Sequence, residues 1–384
     1  MKKNCLLVMA LALLILLGAA NTVHAVEIVK SIPLNMGTTM AYDSYKGAVW
    51  VTTYYSYVNE MGMHVSDATN TVSAISDSDY TTLANVSVGK YPSSIAFDSA
   101  RHEVFVANQN SGTVSVISDD SNSMVATIDL NINSSHGGIS NIVYDSGKGE
   151  MFVSNYASGV VSVILDSTRE VVATIPLGTN PYPTGLIYDS GKGEIYVTYE
   201  GLAGRNPANF MSVISDATNS VVATVPLDNR PVDSGVYDSA TDEICVTNAF
   251  NSSLLVISDE THTVVGSIPL EHYPLGNIGF NPVKSILLVG TTYGVTYIIS
   301  DRTRSVVETV PISSVLMLYD SGRNVMVALG NASIQFISDD SLPSVSPNPT
   351  VPEFSWVVIL PLFLLMLSVV VVSRMRRKRY GVDG

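Results

Sequence analysis

The chain has 384 residues, of which 46% are hydrophobic and only 14% are charged, and its formal net charge is −14. Residues 26–373 carry most of the imbalance, with 33 acidic and 13 basic side chains. A surface this acidic argues against nucleic acid or anionic lipid as a partner.

The first 25 residues have the pattern of a secretory signal peptide. Lys2 and Lys3 precede an apolar run from Leu6 to Leu17, and small residues end the segment at Ala25. This order of a basic start, an apolar run and a small-residue cleavage site is typical of exported proteins. We therefore expect residues 1–25 to be removed and the mature chain to lie outside the cell.

Residues 26–341 repeat one unit, and the stretch Tyr144–Leu177 shows it in full as YDSGKGEMFVSNYASGVVSVILDSTREVVATIPL. Each copy has four apolar runs of strand length, separated by links rich in Gly, Asn, Asp and Ser. Radially repeated four-stranded antiparallel units of roughly 40–45 residues are the blades of a β-propeller. The sequence therefore predicts an all-β fold.

Two acidic signatures recur once in each unit and give the number of blades. The first, Tyr-Asp-Ser or a close variant, supplies Asp43, Asp98, Asp145, Asp189, Asp238, Asn281 and Asp320. The second, Ile-Ser-Asp or a close variant, supplies Asp77, Asp119, Asp166, Asp216, Asp259, Asp301 and Asp339. Seven members in each series predict a seven-bladed propeller. Because an aspartate at the start of a short turn accepts backbone N–H bonds, we interpret both series as turn residues and expect no metal site.

The seventh unit lacks a fourth strand, because SIQFISDD passes directly into the proline-containing SLPSVSPNPT. The segment Glu27–Leu34, EIVKSIPL, has the pattern of a fourth strand and stands alone before the first unit. We predict that this N-terminal strand closes the last blade and leaves no open sheet edge. The alternative is an unrelated N-terminal edge strand.

The C-terminal segment predicts attachment to a membrane. Residues 342–355 form a proline-rich linker, and residues 356–373 are an uncharged apolar run that we expect to be a single transmembrane helix. Residues 374–384 form a basic tail, which marks the cytoplasmic side. We therefore place the body on the extracellular face of the cell membrane.

Two motifs carry a resemblance to known families. The second strands read Tyr196-Val197-Thr198-Tyr199, Cys245-Val246-Thr247-Asn248 and Phe152-Val153-Ser154-Asn155. They resemble the Tyr-Val-Thr-Asn repeat of the YVTN family of β-propellers, common in archaeal surface-layer proteins, over roughly residues 27–340. Blade 6 departs most from it.

Pro352-Glu353-Phe354, directly before the apolar run, resembles the PEF-type sorting signal of archaeal surface proteins. That resemblance implies removal of the tail by an archaeosortase-like membrane protease and replacement by a lipid. A permanent transmembrane anchor is the alternative.

One face of the predicted propeller is the candidate binding face. It contains the links that enter each innermost strand and the links between second and third strands, which include the long segments YYSYVNEMGMHVSDATN and YEGLAGRNPANF. Exposed aromatic side chains on such loops suit sugars or peptides, although the same rings could pack between blades. The candidate residues are Tyr54, Tyr55, Tyr57, Tyr91, His136, Tyr156, Tyr182, Tyr199, Arg230, Phe250, His272 and Tyr273.

Sequence motifs for catalysis are missing: there is no H-E-x-x-H, C-x-x-C-H, G-x-S-x-G or EF-hand loop. Only Cys245 remains after removal of the signal peptide, and we expect it to be a small core residue. We therefore expect a chain that is not an enzyme, holds no cofactor, and acts as an adhesive or S-layer-associated module for cell-envelope glycans or surface proteins.

Two other hypotheses about the function stay open. One is a propeller enzyme of the lactonase, lyase or quinoprotein-subunit type, for which His136, His272, Arg230 and Glu271 are available at the channel mouth. The other is an envelope spacer without a ligand. Four N-x-S/T sequons fit an exported protein, at Asn85, Asn133, Asn251 and Asn331.

Overall fold

A computed structural model describes residues 26–34, 37–58, 64–132, 138–178, 182–199, 210–227, 235–291, 293–314, 316–330 and 333–343. These residues belong to the first of two units in the chain, Met1–Ser344; the second is Val345–Gly384. The predicted signal peptide, PEF motif, apolar segment 356–373 and basic tail lie outside the described residues.

The described residues form seven four-stranded antiparallel sheets, which are the predicted blades. Strand β1 is Ile28–Pro33, and blade 1 contains β2 (Gly37–Asp43), β3 (Ala48–Val58), β4 (His64–Ser76) and β5 (Thr82–Ser87). Blade 2 contains β6 (Pro92–Asp98), β7 (Glu103–Asn108), β8 (Thr113–Ser118) and β9 (Ser123–Asp129). Blade 3 contains β10 (Ile139–Asp145), β11 (Glu150–Asn155), β12 (Val160–Leu165) and β13 (Glu170–Pro176).

The remaining blades follow the same order of strands. Blade 4 contains β14 (Pro183–Asp189), β15 (Glu194–Tyr199), β16 (Phe210–Ser215) and β17 (Ser220–Pro226). Blade 5 contains β18 (Gly235–Asp238), β19 (Glu243–Asn248), β20 (Ser253–Ser258) and β21 (Thr263–Pro269). Blade 6 contains β22 (Pro274–Asn281), β23 (Ile286–Thr291), β24 (Thr296–Ser300) and β25 (Ser305–Val310). Blade 7 contains β26 (Leu316–Asp320), β27 (Val325–Leu329) and β28 (Ser333–Ser338), followed by a 3-10 turn at Asp339–Ser341.

The N-terminal strand closes the last blade, as the sequence predicts. Strand β1 pairs antiparallel with β28, with Ile32 opposite Ile334 and Pro33 opposite Ser333. The sheet order is β1-β28-β27-β26, so the first and last parts of the described chain share one sheet. The innermost strands contact one another around the ring, including β2 of blade 1 with β26 of blade 7.

The hydrophobic core lies between neighbouring blades. One cluster joins Phe105 and Val114 of blade 2 to Met151 and Ile164 of blade 3, and equivalent clusters occupy five other junctions. Second and third strands are almost wholly buried, whereas the fourth strands of blades 2 to 5 are mostly exposed, with one buried residue near the end of each. Each blade therefore depends on both neighbours to cover its apolar faces.

Two details differ from the simple repeat. Blade 6 forms all four strands although its sequence departs most from the pattern, because Asn281 caps its turn as the aspartates do elsewhere. The long link predicted in blade 1 is mostly an extended hairpin, in which the backbone of Tyr55 lies opposite Asp67 and that of Tyr57 opposite Val65.

The part of the chain that the structure describes contains no helix with the length and apolar character needed to cross a membrane.

Candidate functional site

The antiparallel order of the blades puts their links on two faces. The variable-loop face holds the links between second and third strands and those that enter each innermost strand. The aspartate face holds the links between first and second strands and between third and fourth strands. Both faces contain residues that the sequence singles out.

Blade 6 and its neighbour place exposed aromatic side chains on the variable-loop face. The imidazole of His272 stacks on the ring of Tyr293, with centroids 5.0 Å apart and planes inclined by 26°. Tyr273 is 43% exposed, Tyr293 68% and Phe250, in the equivalent link of blade 5, 72%. The backbone N–H of His272 donates to the hydroxyl of buried Tyr297 at 2.8 Å, which fixes the start of this link. The group His272, Tyr273, Tyr293 and Phe250 is called the aromatic cluster below.

A second pair of aromatic rings lies between blades 3 and 4. The rings of Tyr156 and Tyr182 are 4.9 Å apart at their centroids, and both are half-buried. Tyr91 is half-buried at a positive φ of 58°, with its backbone N–H donating to the side chain of Asn70 at 3.1 Å. These three tyrosines are less exposed than Tyr273, Tyr293 and Phe250.

Other candidates are placed differently or lie outside the described residues. Tyr199 is a core residue, only 1% exposed, and its hydroxyl donates to Ser212 at 2.6 Å. It therefore presents no ring to a ligand. The backbones of Tyr54, Tyr55 and Tyr57 belong to strand β3. His136 and Arg230 lie outside the described residues.

The asparagine that ends many second strands has a structural role. Asn108 is fully buried, and its amide donates to Thr113 at 3.2 Å and to Ser115 at 3.0 Å. In blades 3 and 5 the equivalent Asn155 and Asn248 accept a backbone N–H three residues later. The repeat motif therefore fastens the link between second and third strands.

The first aspartate series has the predicted turn role. Asp145, for example, is fully buried and its Oδ1 accepts the backbone N–H groups of Gly147 at 2.8 Å and Lys148 at 3.2 Å. Equivalent backbone N–H groups donate to the side chains of Asp43, Asp98, Asp189, Asp238, Asn281 and Asp320. Each side chain closes the turn between first and second strands.

The second-series aspartates also lie in turns, and Asp166 and Asp216 each accept the backbone N–H of the next residue. In blades 1, 2, 5 and 6 the serine before the aspartate also accepts a backbone N–H, as Ser300 does from Thr303 at 3.1 Å. The aspartate also faces the first-series residue of the preceding blade, and the one uncharged pair shows the contact directly: Asn281 of blade 6 donates to Asp339 of blade 7 at 2.6 Å. At the other six junctions two carboxyl groups meet. Together with Asn281 and Asp339 they make seven pairs between consecutive blades, here called junction pairs.

Burial and the facing carboxylate raise the pKa of several second-series aspartates. Burial, followed by the charge of Asp43, raises the pKa of Asp119 to about 6. Burial and the charge of Asp238 do the same for Asp301, again to about 6. Two carboxylates so close resist ionising together, so these pairs retain a proton to higher pH than an isolated aspartate.

Tyrosine hydroxyls and lysine ammonium groups stabilise the junction pairs. The hydroxyl of Tyr42 donates to Asp77 at 3.1 Å, and burial followed by these carboxylates raises the pKa of Tyr42. Lys192 of blade 4 donates to the backbone carbonyl of Asp259 in blade 5 at 2.9 Å, and its Nζ lies 3.6 Å from that carboxylate. Equivalent bonds to the next blade come from Lys46, Lys148, Lys284 and Arg323.

A second set of ion pairs also joins consecutive blades. Arg169 of blade 3 lies 2.5 Å from Glu103 of blade 2, and His262 of blade 5 lies 2.9 Å from Glu194 of blade 4. Arg304 makes the same contact to Glu243. Most charged groups of the aspartate face therefore hold blades together.

Two further features of the described part of the chain have side chains that can react or bind a metal ion. Cys245 is buried as expected, and burial raises the pKa of its thiol, which keeps it protonated and unreactive. His102, Asp119 and Asp120 in blade 2 offer ligand atoms that all lie within 4.8 Å of one another. Sequence spacing alone does not indicate this group, because its members come from two different links.

Comparisons with known proteins support the fold and go no further. No protein-family model matches the chain. No curated protein matches it either. Among solved structures, Kuenenia stuttgartiensis hydrazine synthase is similar, with a TM-score of 0.62 and 13% sequence identity over 79% of this chain and 96% of that one. The structural similarity shows a shared fold, and at this low sequence identity it shows nothing more.

The expectation that the chain is not an enzyme is overturned by that comparison, because a chain of the same architecture belongs to an enzyme. The absence of short catalytic motifs was its basis, and such motifs are specific to families rather than to folds. The likeness transfers no activity to this chain.

Proposed function

We propose that this chain is an exported propeller, tethered at its C-terminus to the outer face of the cell membrane, that binds cell-envelope glycans or surface proteins through its variable-loop face. The proposal includes a YVTN-type, S-layer-associated role, adhesion and a PEF-type sorting segment that ends in either a membrane helix or a lipid. The acidic body argues against nucleic acid as the ligand.

The aromatic cluster of blades 5 and 6 carries the proposal. Tyr293 and Phe250 keep 68% and 72% of their surface exposed, although each lies in a short link of a well-packed blade. Flat rings with a polar edge bind sugar faces and peptide side chains at low cost in conformational entropy. The stacked His272 adds a hydrogen-bonding group next to this apolar surface.

A binding measurement with matched variants tests the proposal. The purified full chain is applied to an array of envelope glycans and to isolated envelope material. We expect Tyr293→Ala and Phe250→Ala each to reduce binding about tenfold, the loss typical of one aromatic contact. Val283→Ala removes an equally exposed apolar side chain, 67% exposed, from the aspartate face and should bind as the parent does. Equal binding by all three variants would refute the role of the cluster.

A second candidate function, an enzyme or a subunit of one, is favoured by the likeness to hydrazine synthase. His272 is then the described residue most suited to proton transfer, because it lies half-buried beside Tyr293. Turnover of lactone substrates, and its loss in His272→Gln with retention in Val283→Ala, would support this function. A parent chain without turnover would leave the binding role preferred.

A further inference from the structure

The tyrosine hydroxyl that donates to the second-series aspartate in blades 1 and 3 has no counterpart in blade 2. In five blades the residue before the first-series aspartate is tyrosine, whereas blades 2 and 6 have Phe97 and Phe280. Asp119, which is fully buried, and Asp301, 4% exposed, are the second-series residues of those two blades. Among the described residues, these are the aspartates whose two carboxylate oxygens are both buried without a hydrogen-bond partner.

Blade 6 supplies a substitute from its own sequence. Arg302 directly follows Asp301, and its positive charge favours the ionised form of that carboxylate. At the equivalent position blade 2 has Asp120, which adds another negative charge. Both blades lack the tyrosine hydroxyl, and of the two only blade 6 has a cation after its second-series aspartate.

Blade 2 has a histidine at a turn position of positive φ, where blades 5, 6 and 7 have Asp242, Ser285 and Asn324. His102 adopts a positive φ of 55°, at the position where blades 1, 3 and 4 have Gly47, Gly149 and Gly193. A Cβ built on Gly149 would lie 2.6 Å from the carboxylate of Asp166, so this position points directly at the second-series aspartate. A histidine at this position therefore brings its ring next to Asp119.

The imidazole is held from its other side. The ring of Tyr45, from blade 1, stacks on His102 with centroids 3.5 Å apart and planes inclined by 20°. The ligand atoms of His102, Asp119 and Asp120 then all lie within 4.8 Å of one another. Stacking limits rotation of the ring, so its nitrogen is positioned before any ligand arrives.

No side-chain cation in the described part of the chain contacts the carboxylate of Asp119. Lys46 donates to the backbone carbonyl of Asp119 and, at 2.7 Å, to the side chain of Asn122. Asp43 faces Asp119 with its own oxygens already accepting two backbone N–H groups and the indole N–H of Trp50 at 3.2 Å. Asp119 thus faces two other carboxylates, those of Asp43 and Asp120, and one imidazole, which is an arrangement that favours a bound cation.

We propose that His102, Asp119 and Asp120 form a site for a divalent transition-metal ion of the Zn²⁺ class, between the two turns of blade 2 on the aspartate face. One imidazole and two carboxylates match the ligand preferences of Zn²⁺, whereas Ca²⁺ and Mg²⁺ prefer oxygen ligands alone. Three protein ligands leave one position of a tetrahedral ion open to water or to a group from a partner.

Titration calorimetry with ZnCl₂ at pH 7.5 tests the site, using the full chain free of any histidine tag and stripped of metal with EDTA. We expect one Zn²⁺ per chain and a rise in melting temperature on binding, because the ion binds only the folded state. His102→Gly introduces the residue that three other blades use at this position, so it should fold and lose at least tenfold in affinity. Asp119→Asn should lose affinity to a similar extent.

His262→Asn is the matched control. His262 also occupies a turn at positive φ, and blades 2 and 4 have Asn122 and Asn219 at that position, so the variant should bind Zn²⁺ as the parent does. Absence of Zn²⁺ binding by the parent would overturn the proposal and leave a shared proton as the occupant of the Asp43–Asp119 pair. Undiminished binding by His102→Gly, or an equal loss in His262→Asn, would overturn it too.

Discussion

Replacing Asp301 by asparagine should stabilise the propeller at neutral pH. Asp301 of blade 6 is buried against Asp238 of blade 5, and neither of its oxygens has a hydrogen-bond partner. The neighbouring junction already contains the amide that the variant would introduce, since Asn281 donates to Asp339 at 2.6 Å. In Asp301→Asn the new amide can donate to the unpartnered Oδ2 of Asp238.

The magnitude follows from the pKa of Asp301, which burial and then Asp238 raise from 3.8 to about 6. A shift of about two units corresponds to roughly 3 kcal/mol at about 1.4 kcal/mol per unit. Arg302 and solvent screening reduce the gain, so we expect about 1–2 kcal/mol at pH 7.5. For a domain of this size that is a rise in melting temperature of roughly 2–4 °C.

The pH dependence separates this explanation from a general packing effect. Because the folded-state pKa of Asp301 is raised, its contribution to stability is fully present below pH 3.8 and is lost as the pH rises through about 6. The variant should therefore melt with the parent near pH 4 and above it at pH 7.5. Thermal unfolding followed by circular dichroism in EDTA measures both conditions.

Asp129→Asn, on the exposed end of strand β9, removes one negative charge from the surface and should leave the melting temperature unchanged at both pH values. A gain for Asp301→Asn that is equal at pH 4 and pH 7.5, or a loss at pH 7.5, would refute the reasoning from the junction pair.

Two further predictions concern how blades are joined. In blade 4, Asn219 occupies the position that Arg169 has in blade 3, where the arginine pairs with Glu103 of the preceding blade. Glu150 of blade 3 is the residue that an arginine at 219 would meet, and one oxygen of Asn219 and one of Glu150 are buried without a hydrogen-bond partner. Asn219→Arg should supply the missing ion pair and raise stability by about 1 kcal/mol, which denaturant unfolding measures; Asn219→Gln should show no gain. Removal of residues 26–34 exposes the edge of β28, so we expect the monomer peak in size-exclusion chromatography to give way to dimers or aggregates. A soluble monomer of unchanged stability would contradict the role of β1 in closure.

The sequence predicts this fold well because the signals that define it are local. Each blade is marked by short alternating strands and by turn residues within a few positions of one another, as at Asp145 and Gly147. Counting the two signatures yields seven blades, and the missing strand after Ser338 points to Glu27–Leu34. None of these inferences requires a distance between separate blades.

The sequence predicts the junctions poorly because their contacts join residues from different blades. Asn281 and Asp339 are 58 positions apart, and their hydrogen bond depends on how one blade packs on the next. The substitution of Phe97 for tyrosine is visible in the sequence, yet its consequence for Asp119 appears only when the pair is assembled. The sequence predicts Tyr199 on the binding face for the same reason, because only the packing of neighbouring blades shows that it lies in the core.

Repetition at the junctions explains how one motif can serve both stability and function. Six of the seven pairs bury two acidic groups, and the chain satisfies the carboxylates of the junctions with different donors: a hydroxyl from Tyr42, an ammonium group from Lys192, an amide from Asn281. Lys192 and Asn281 donate to the next blade, so these bonds make one blade depend on its neighbour, which favours cooperative closure of the ring. Where the chain provides no donor, as at Asp119, the fold retains a destabilised charge. Such a site costs stability unless an external cation binds there, so departures from the repeat are the places where ligands should be sought.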